Sequence, residues 1–246
     1  MPCYKAILFD LDGTLLDSSM ESFLPVYLRG LTARVAHLYE PKAFVTRLLW
    51  ATEQMAANDG RATNQDVFMG AFFPFEGRDR DELMPIFDAF YAEDFPKLQE
   101  ITRRKPEARG VVELAFALGY DVAIATNPLF PETAVRQRMQ WAGVDDFPYK
   151  WVTTYENSRY AKPNLRYFDD ICARLGHAPE ACLVVGDEHM DMVARRIGCD
   201  TFLVEGPTTA LKTDTPQPTY RGTLSDLPAL LKASVAGESV ADEELP

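Results

Sequence analysis

The stretch Ala6-Ile7-Leu8-Phe9-Asp10-Leu11-Asp12-Gly13-Thr14-Leu15-Leu16-Asp17 decides how the rest of the chain is read. Four apolar residues, 6–9, run straight into two carboxylates one residue apart, the pattern of a buried parallel strand that ends in chemistry. Residues two apart on an extended chain face the same side, so Asp10 and Asp12 converge on one point beyond the strand's carboxyl end. Open α/β sheets put their sites at such ends. Two anions this close repel unless a cation neutralises them or one keeps a proton and serves as an acid. Gly13 permits a backbone turn that a side chain would hinder.

The 246 residues are enough for a large single domain or a domain with a smaller insert. Hydrophobic residues at 47% and charged ones at 25% exclude general disorder. A net charge of −12 argues against nucleic acid as a partner, because its binders carry a basic face. An anionic substrate must therefore be met by a local cation or a few local donors. Cys3, Cys172, Cys182 and Cys199 lack CxxC spacing and read as reduced structural thiols. The N-terminus has no long apolar signal segment, and no run reaches membrane-spanning length. A soluble, cytoplasmic protein with no membrane partner is the expectation.

From residue 18 to 98 the pattern is helical: Val45, Leu48, Leu49, Met55 and Ala56 share one face, and Leu83, Ile86, Phe87, Phe90 and Tyr91 another. Trp50, Phe68, Phe72, Phe73 and Phe75 are read as core of this insert. An α/β alternation then resumes. Strands are expected at 121–125, 149–153, 182–185 and 201–204, with helices at 111–118, 131–142, 190–197 and 224–231 and a helix beginning at Pro163. Residues 206–222 read as a loop and 237–246 as an acidic, frayed tail. Alternating strands and helices predict a Rossmann-like parallel sheet flanked by helices, with an inserted all-helical domain. The expected division is 1–17 and 99–236 as core, 18–98 as insert and 237–246 as tail.

Three later sites fall at strand ends or helix starts. Thr126-Asn127-Pro128 offers a hydroxyl and turn amides for phosphoryl oxygens. Lys162-Pro163 aims an ammonium at the mouth of the sheet. Gly186-Asp187-Glu188-His189-Met190-Asp191 follows a buried strand with acids at Asp187 and Asp191, hard oxygen donors that suit magnesium. His189 is read as a surface or supporting residue. With Asp10-Leu11-Asp12-Gly13-Thr14-Leu15, these stretches resemble, in order, the four motifs of the haloacid dehalogenase-like hydrolases, over about 1–17 and 100–205.

The resemblance implies a phosphatase-type member whose insert is a cap. Asp10 would attack phosphorus to give an aspartyl-phosphate, and Asp12 would protonate the leaving oxygen and then activate water. Mg2+ would be held by Asp10, the Asp12 carbonyl, Asp187 and Asp191, with Thr126, Asn127 and Lys162 on the phosphoryl group. An Asp two residues after the nucleophile resembles phosphatases and phosphomutases rather than dehalogenases. The expected substrate is a small phosphorylated metabolite. A sugar phosphomutase, or a binding or regulatory protein that has kept the fold, is the alternative. Within the insert, Asn58-Asp59-Gly60-Arg61 is the candidate loop facing the core, with Arg61 a candidate for an anionic leaving group. Hinges are expected near 17–20 and 98–103, and the sequence leaves monomer and homodimer open.

Overall fold

The apolar run 6–9 is wholly buried, and its lack of alternation follows from being covered on both faces. In the computed structural model, which describes residues 4–206, 209 and 211–236, it forms β1 (Ala6–Phe9) at the centre of the main sheet. β1 pairs in parallel with β4 (Asp121–Ile124) on one side and β6 (Cys182–Gly186) on the other. β5 (Trp151–Val152) extends the sheet beyond β4, and β7 (Asp200–Val204) and β8 (Tyr220–Gly222) extend it beyond β6, giving the order β5-β4-β1-β6-β7-β8. All five pairings are parallel.

Side chains divide between the two faces by alternation. Ile7, Phe9, Val122, Ile124, Leu183 and Val185 pack in one cluster with α5 (Ala108–Ala117), α6 (Glu132–Ala142) and α9 (Leu227–Ala236). Ala6, Leu8, Ala123 and Val184 pack on the other face against α7 (Leu165–Leu175). The α6 and α7 helices end at Gly143 and Gly176, both with positive φ, as left-handed C-caps require.

β2 (Leu16–Asp17) and β3 (Arg103–Arg104) form a short antiparallel pair. Between them lie α1 (Met20–Val35), α2 (Pro41–Ala56), α3 (Asn64–Phe72), α4 (Arg80–Glu93) and a 3-10 segment, Phe95–Ile101. Ser19, Glu40, Thr63 and Asp79 accept from the first-turn amides of the four helices. The aromatic residues make the core of this helical region: Phe72 meets Phe44 and Phe87 edge-on, each at 5.9 Å between ring centroids.

Three sequence expectations are revised. The stretch 206–222 contains β8, because Glu205 donates to the Gly222 carbonyl and the chain returns to the edge of β7. The helix expected over 190–197 is only α8 (His189–Met192), followed by a 3-10 segment, Val193–Ile197. Pro163 precedes α7 rather than opening it, since the Asn164 side chain caps the helix by accepting from the Arg166 amide. The acidic stretch 237–246 and Cys3 lie outside the described residues.

Candidate active site

The sheet register brings the polar stretches together. Phe9 stands level with Ile124 and Val185, so Asp10, Thr126 and Asp187 all leave the sheet at one edge. The Asp10 amide continues the ladder by donating to the Val185 carbonyl at 2.9 Å. The buried Lys162 ammonium donates to Asp10 Oδ1 at 2.8 Å and to Asp191 Oδ1 at 2.5 Å. Asn127 holds the lysine's backbone: its Oδ1 accepts from the Lys162 amide at 3.2 Å. Tyr167 supports the same corner, donating to the Thr126 carbonyl at 2.8 Å with its ring 5.9 Å from the lysine Nζ. Thr14 donates to Asp187 Oδ1 at 3.1 Å. Gly13 has φ +82°, and a Cβ there would lie 2.2 Å from Asp187 Oδ2, so the turn needs glycine on both counts.

Asp10, Asp187 and Asp191 offer carboxylate oxygens within 4.8 Å of one another. Burial, then Asp10 and Asp191, pushes the Asp187 carboxyl up to about 8. Burial also raises Asp191, against the pull of Lys162. Lys162 goes the other way: burial lowers it, but Asp10 and Asp191 outweigh that and hold it well above an ordinary lysine. One ammonium therefore faces three carboxylates, and the remaining repulsion is what a hard divalent cation relieves. The donor set fits Mg2+.

Asp12 is held differently. Its Oδ2 accepts from Arg138 Nη1, an arginine on α6 with a side chain only 2% exposed. Burial raises the Asp12 carboxyl, and Arg138 pulls it back. The Arg138 guanidinium lies 4.6 Å from the Phe130 ring centroid, and its Nη2 is buried without a hydrogen-bond partner. Sequence reading missed this residue. The available signal was periodic: Ala134, Val135, Arg138, Met139, Trp141 and Ala142 form the buried face of α6, so a cation stands where an apolar residue is expected. Lys105, also unforeseen, donates from its ammonium to the Gly13 carbonyl.

The structure thus brings Asp10, Asp12, Asn127, Lys162, Asp187 and Asp191 to one sheet edge, with Thr126 buried in the loop after β4. Arg61 is not among them. Its side chain is 89% exposed and pairs with Asp59. The loop around it does face the core: the Asn64 side chain donates to the Pro128 carbonyl at 3.1 Å, and Gly60 backs onto the Tyr160 ring. His189 turns to Thr215, with Nδ1 2.8 Å from its hydroxyl.

A parallel sheet with carboxylates and a lysine gathered at its carboxyl edge defines the chain as an α/β protein with its charged cluster where open sheets place their sites. It belongs to the haloacid dehalogenase-like hydrolases, whose family model matches residues 4–196, and it is a hydrolase. Relatives include pyrophosphatase PpaX of Bacillus velezensis, 28% identical over 196 residues and 77% of each chain, and PpaX of Anoxybacillus flavithermus, 25% identical over 197 residues, covering 77% of this chain and 78% of that one. Among solved structures, a HAD phosphatase from Thermococcus onnurineus is 19% identical with a TM-score of 0.60, covering 96% of this chain and 100% of its own. L-2-haloacid dehalogenase from Xanthobacter autotrophicus is 20% identical with a TM-score of 0.57 over 93% and 98%. These structural likenesses show a shared fold.

Proposed function

We propose that the chain is a Mg2+-dependent phosphomonoester hydrolase acting on a small phosphorylated metabolite through an aspartyl-phosphate. The observation that carries the reading is the Lys162 ammonium held between Asp10 and Asp191 at the carboxyl edge of β1 and β6. It orients the Asp10 carboxylate and leaves a positive group beside the position where a phosphoryl oxygen would lie. Mg2+ would be held by Asp10, the Asp12 carbonyl, Asp187 and Asp191, and when bound supplies charge neutralisation between these anions and the phosphate.

Asp10 is the nucleophile at phosphorus, and Lys162, Thr126 and the Asn127 amide receive the charge on the transferring group. Asp12 gives a proton to the leaving oxygen; burial raises its carboxyl, in the direction that this role needs, against the pull of Arg138. As a carboxylate it then takes a proton from the water that hydrolyses the aspartyl-phosphate. Residues 18–98 act as a cap over this edge, and residues 1–17 and 99–236 as the catalytic core. The chain would work in the cytoplasm; no helix among the described residues is long and apolar enough to cross a membrane.

The test is phosphate release from a panel of phosphorylated metabolites with and without Mg2+, in the native protein and in Asp10→Asn and Asp12→Asn. Mg2+-dependent release lost in both variants is expected. Release that persists in Asp10→Asn refutes the covalent route.

A further inference from the structure

The α6 helix carries one residue that its packing does not explain. Its other inward positions, Ala134, Val135, Met139, Trp141 and Ala142, join the apolar core, and the Arg138 guanidinium stands among them. Burying a guanidinium is costly, and its Nη2, without a hydrogen-bond partner among the described residues, adds an unmet donor. A methionine there would fill the same space with neither cost. Stability alone therefore does not account for an arginine.

The contacts of Arg138 lead to Asp12. Nη1 donates to Asp12 Oδ2, and Nε reaches back to the Ala134 carbonyl at 3.4 Å. The Phe130 ring, centred 4.6 Å from the guanidinium carbon, holds its plane. Phe130 is in turn wedged edge-on against Phe23 and Tyr27 of α1, at 6.2 Å and 5.4 Å between ring centroids. The guanidinium has little freedom to turn, and it meets Asp12 on one oxygen from the buried side. An arginine only donates. Asp12 Oδ2 must therefore accept, since a proton on that oxygen would face the N–H of Nη1. The proton that Asp12 gives to the leaving oxygen is left to Oδ1.

We propose that Arg138 is a positioning residue: by holding Asp12 Oδ2 it places the acidic proton on Oδ1 and aims that oxygen at the ester oxygen of the substrate. This rests on the hydrolase reading above and deepens it. As Asp10 forms its bond to phosphorus the ester P–O bond breaks, its electron pair stays on the leaving oxygen, and Asp12 Oδ1 supplies the proton that neutralises it. Without Arg138 the Asp12 carboxyl turns freely about χ2, and the proton is shared with an oxygen that faces away. The groups on phosphorus, Asp10 and Lys162, keep their own contacts. The loss must then fall on proton transfer, and a leaving group that departs readily as an anion needs little of it.

The experiment measures kcat/KM with Mg2+ for 4-nitrophenyl, phenyl and benzyl phosphate in the native protein, Arg138→Met and Arg138→Lys, with circular dichroism to check the fold. The three esters present a similar ring, while the basicity of the leaving oxygen rises along the series. kcat/KM reports only the steps through ester cleavage, before the hydrolysis of the aspartyl-phosphate that all three share. Arg138→Met should lose no more than about threefold on the nitrophenyl ester and roughly 100-fold on the benzyl ester, the scale of general acid catalysis. Arg138→Lys, a point charge without the planar fork, should lie between. If Arg138→Met does not fold, Arg138→Lys carries the test, its loss growing about fivefold or more across the series. Equal losses on all three esters overturn the assignment and leave the hydrolase reading standing. A native protein that cleaves neither these esters nor the phosphorylated metabolites overturns both.

Discussion

Replacing Lys162 by Met removes the ammonium that stands between Asp10 and Asp191 while keeping a side chain of similar length. At an effective dielectric of about 20, each of its contacts, at 2.8 Å and 2.5 Å, is worth roughly 6 kcal/mol of attraction. The desolvation of the buried ions cancels most of this, and breaking such a pair by removing one partner costs about 3–5 kcal/mol net. In a protein of this size, that corresponds to a fall in Tm on the order of 10 °C. The variant leaves three carboxylates within 4.8 Å with no internal cation, so it should respond to Mg2+ more strongly than the native protein. Every tenfold gain in Mg2+ affinity restores about 1.4 kcal/mol at saturating metal. Thermal melts of both proteins in EDTA and in Mg2+ read this directly: a large gap in EDTA should narrow in Mg2+. A variant as stable as the native protein in EDTA, or a gap that Mg2+ leaves unchanged, would refute the electrostatic account of the site.

Arg138→Met should lower kcat tenfold or more with KM little changed, and Arg138→Lys should recover part of the loss, because the residue orients the group assigned to proton transfer. Its stability cost should stay below that of Lys162→Met, since Arg138 pairs with one carboxylate and Lys162 with two; steady-state kinetics and melts check both. Asn64→Ala removes a wholly buried amide that ties the helical region to the Pro128 carbonyl, and should cost about 1–3 kcal/mol by urea denaturation. Asp121 is raised by burial but lowered more by hydrogen bonds from Lys150 and His177, for a net depressed pKa. A depressed carboxyl contributes stability above its unfolded value near 3.8 and loses it as pH falls through its folded value. Asp121→Asn should therefore lose about 0.5–1 kcal/mol at pH 7 and approach the native protein below pH 3.8, as urea melts across pH 3–7 would record.

Much of the frame was legible because the signals are local. The run 6–9 announces a strand covered on both faces, and the glycine at 143 announces a helix end. β8 was hidden because a three-residue edge strand with Arg221 exposed carries no apolar pattern; its pairing with β7 makes it a strand. The helix over 190–197 was overextended because apolar spacing does not separate an α turn from a 3-10 turn. Arg61 shows the limit at the site: the loop 58–64 does dock on the core, yet the arginine turns outward to Asp59.

Sequence alone determined the sheet class and the order of the polar stretches at strand ends, because periodicity and chain adjacency are properties of neighbouring residues. It also determined that the chain carries acids enough to hold a cation. Only the tertiary structure decided which charges meet. Lys162 spans Asp10 and Asp191, and Arg138 reaches Asp12 across 126 positions of sequence. A cavity of about 510 Å3 belongs to the same category, since α1 to α4, the loops after β4 and β5 and Thr133 of α6 each supply part of a wall that none encloses by itself. Contacts between residues far apart are fixed by packing and register, and neither is written in any one segment of the chain.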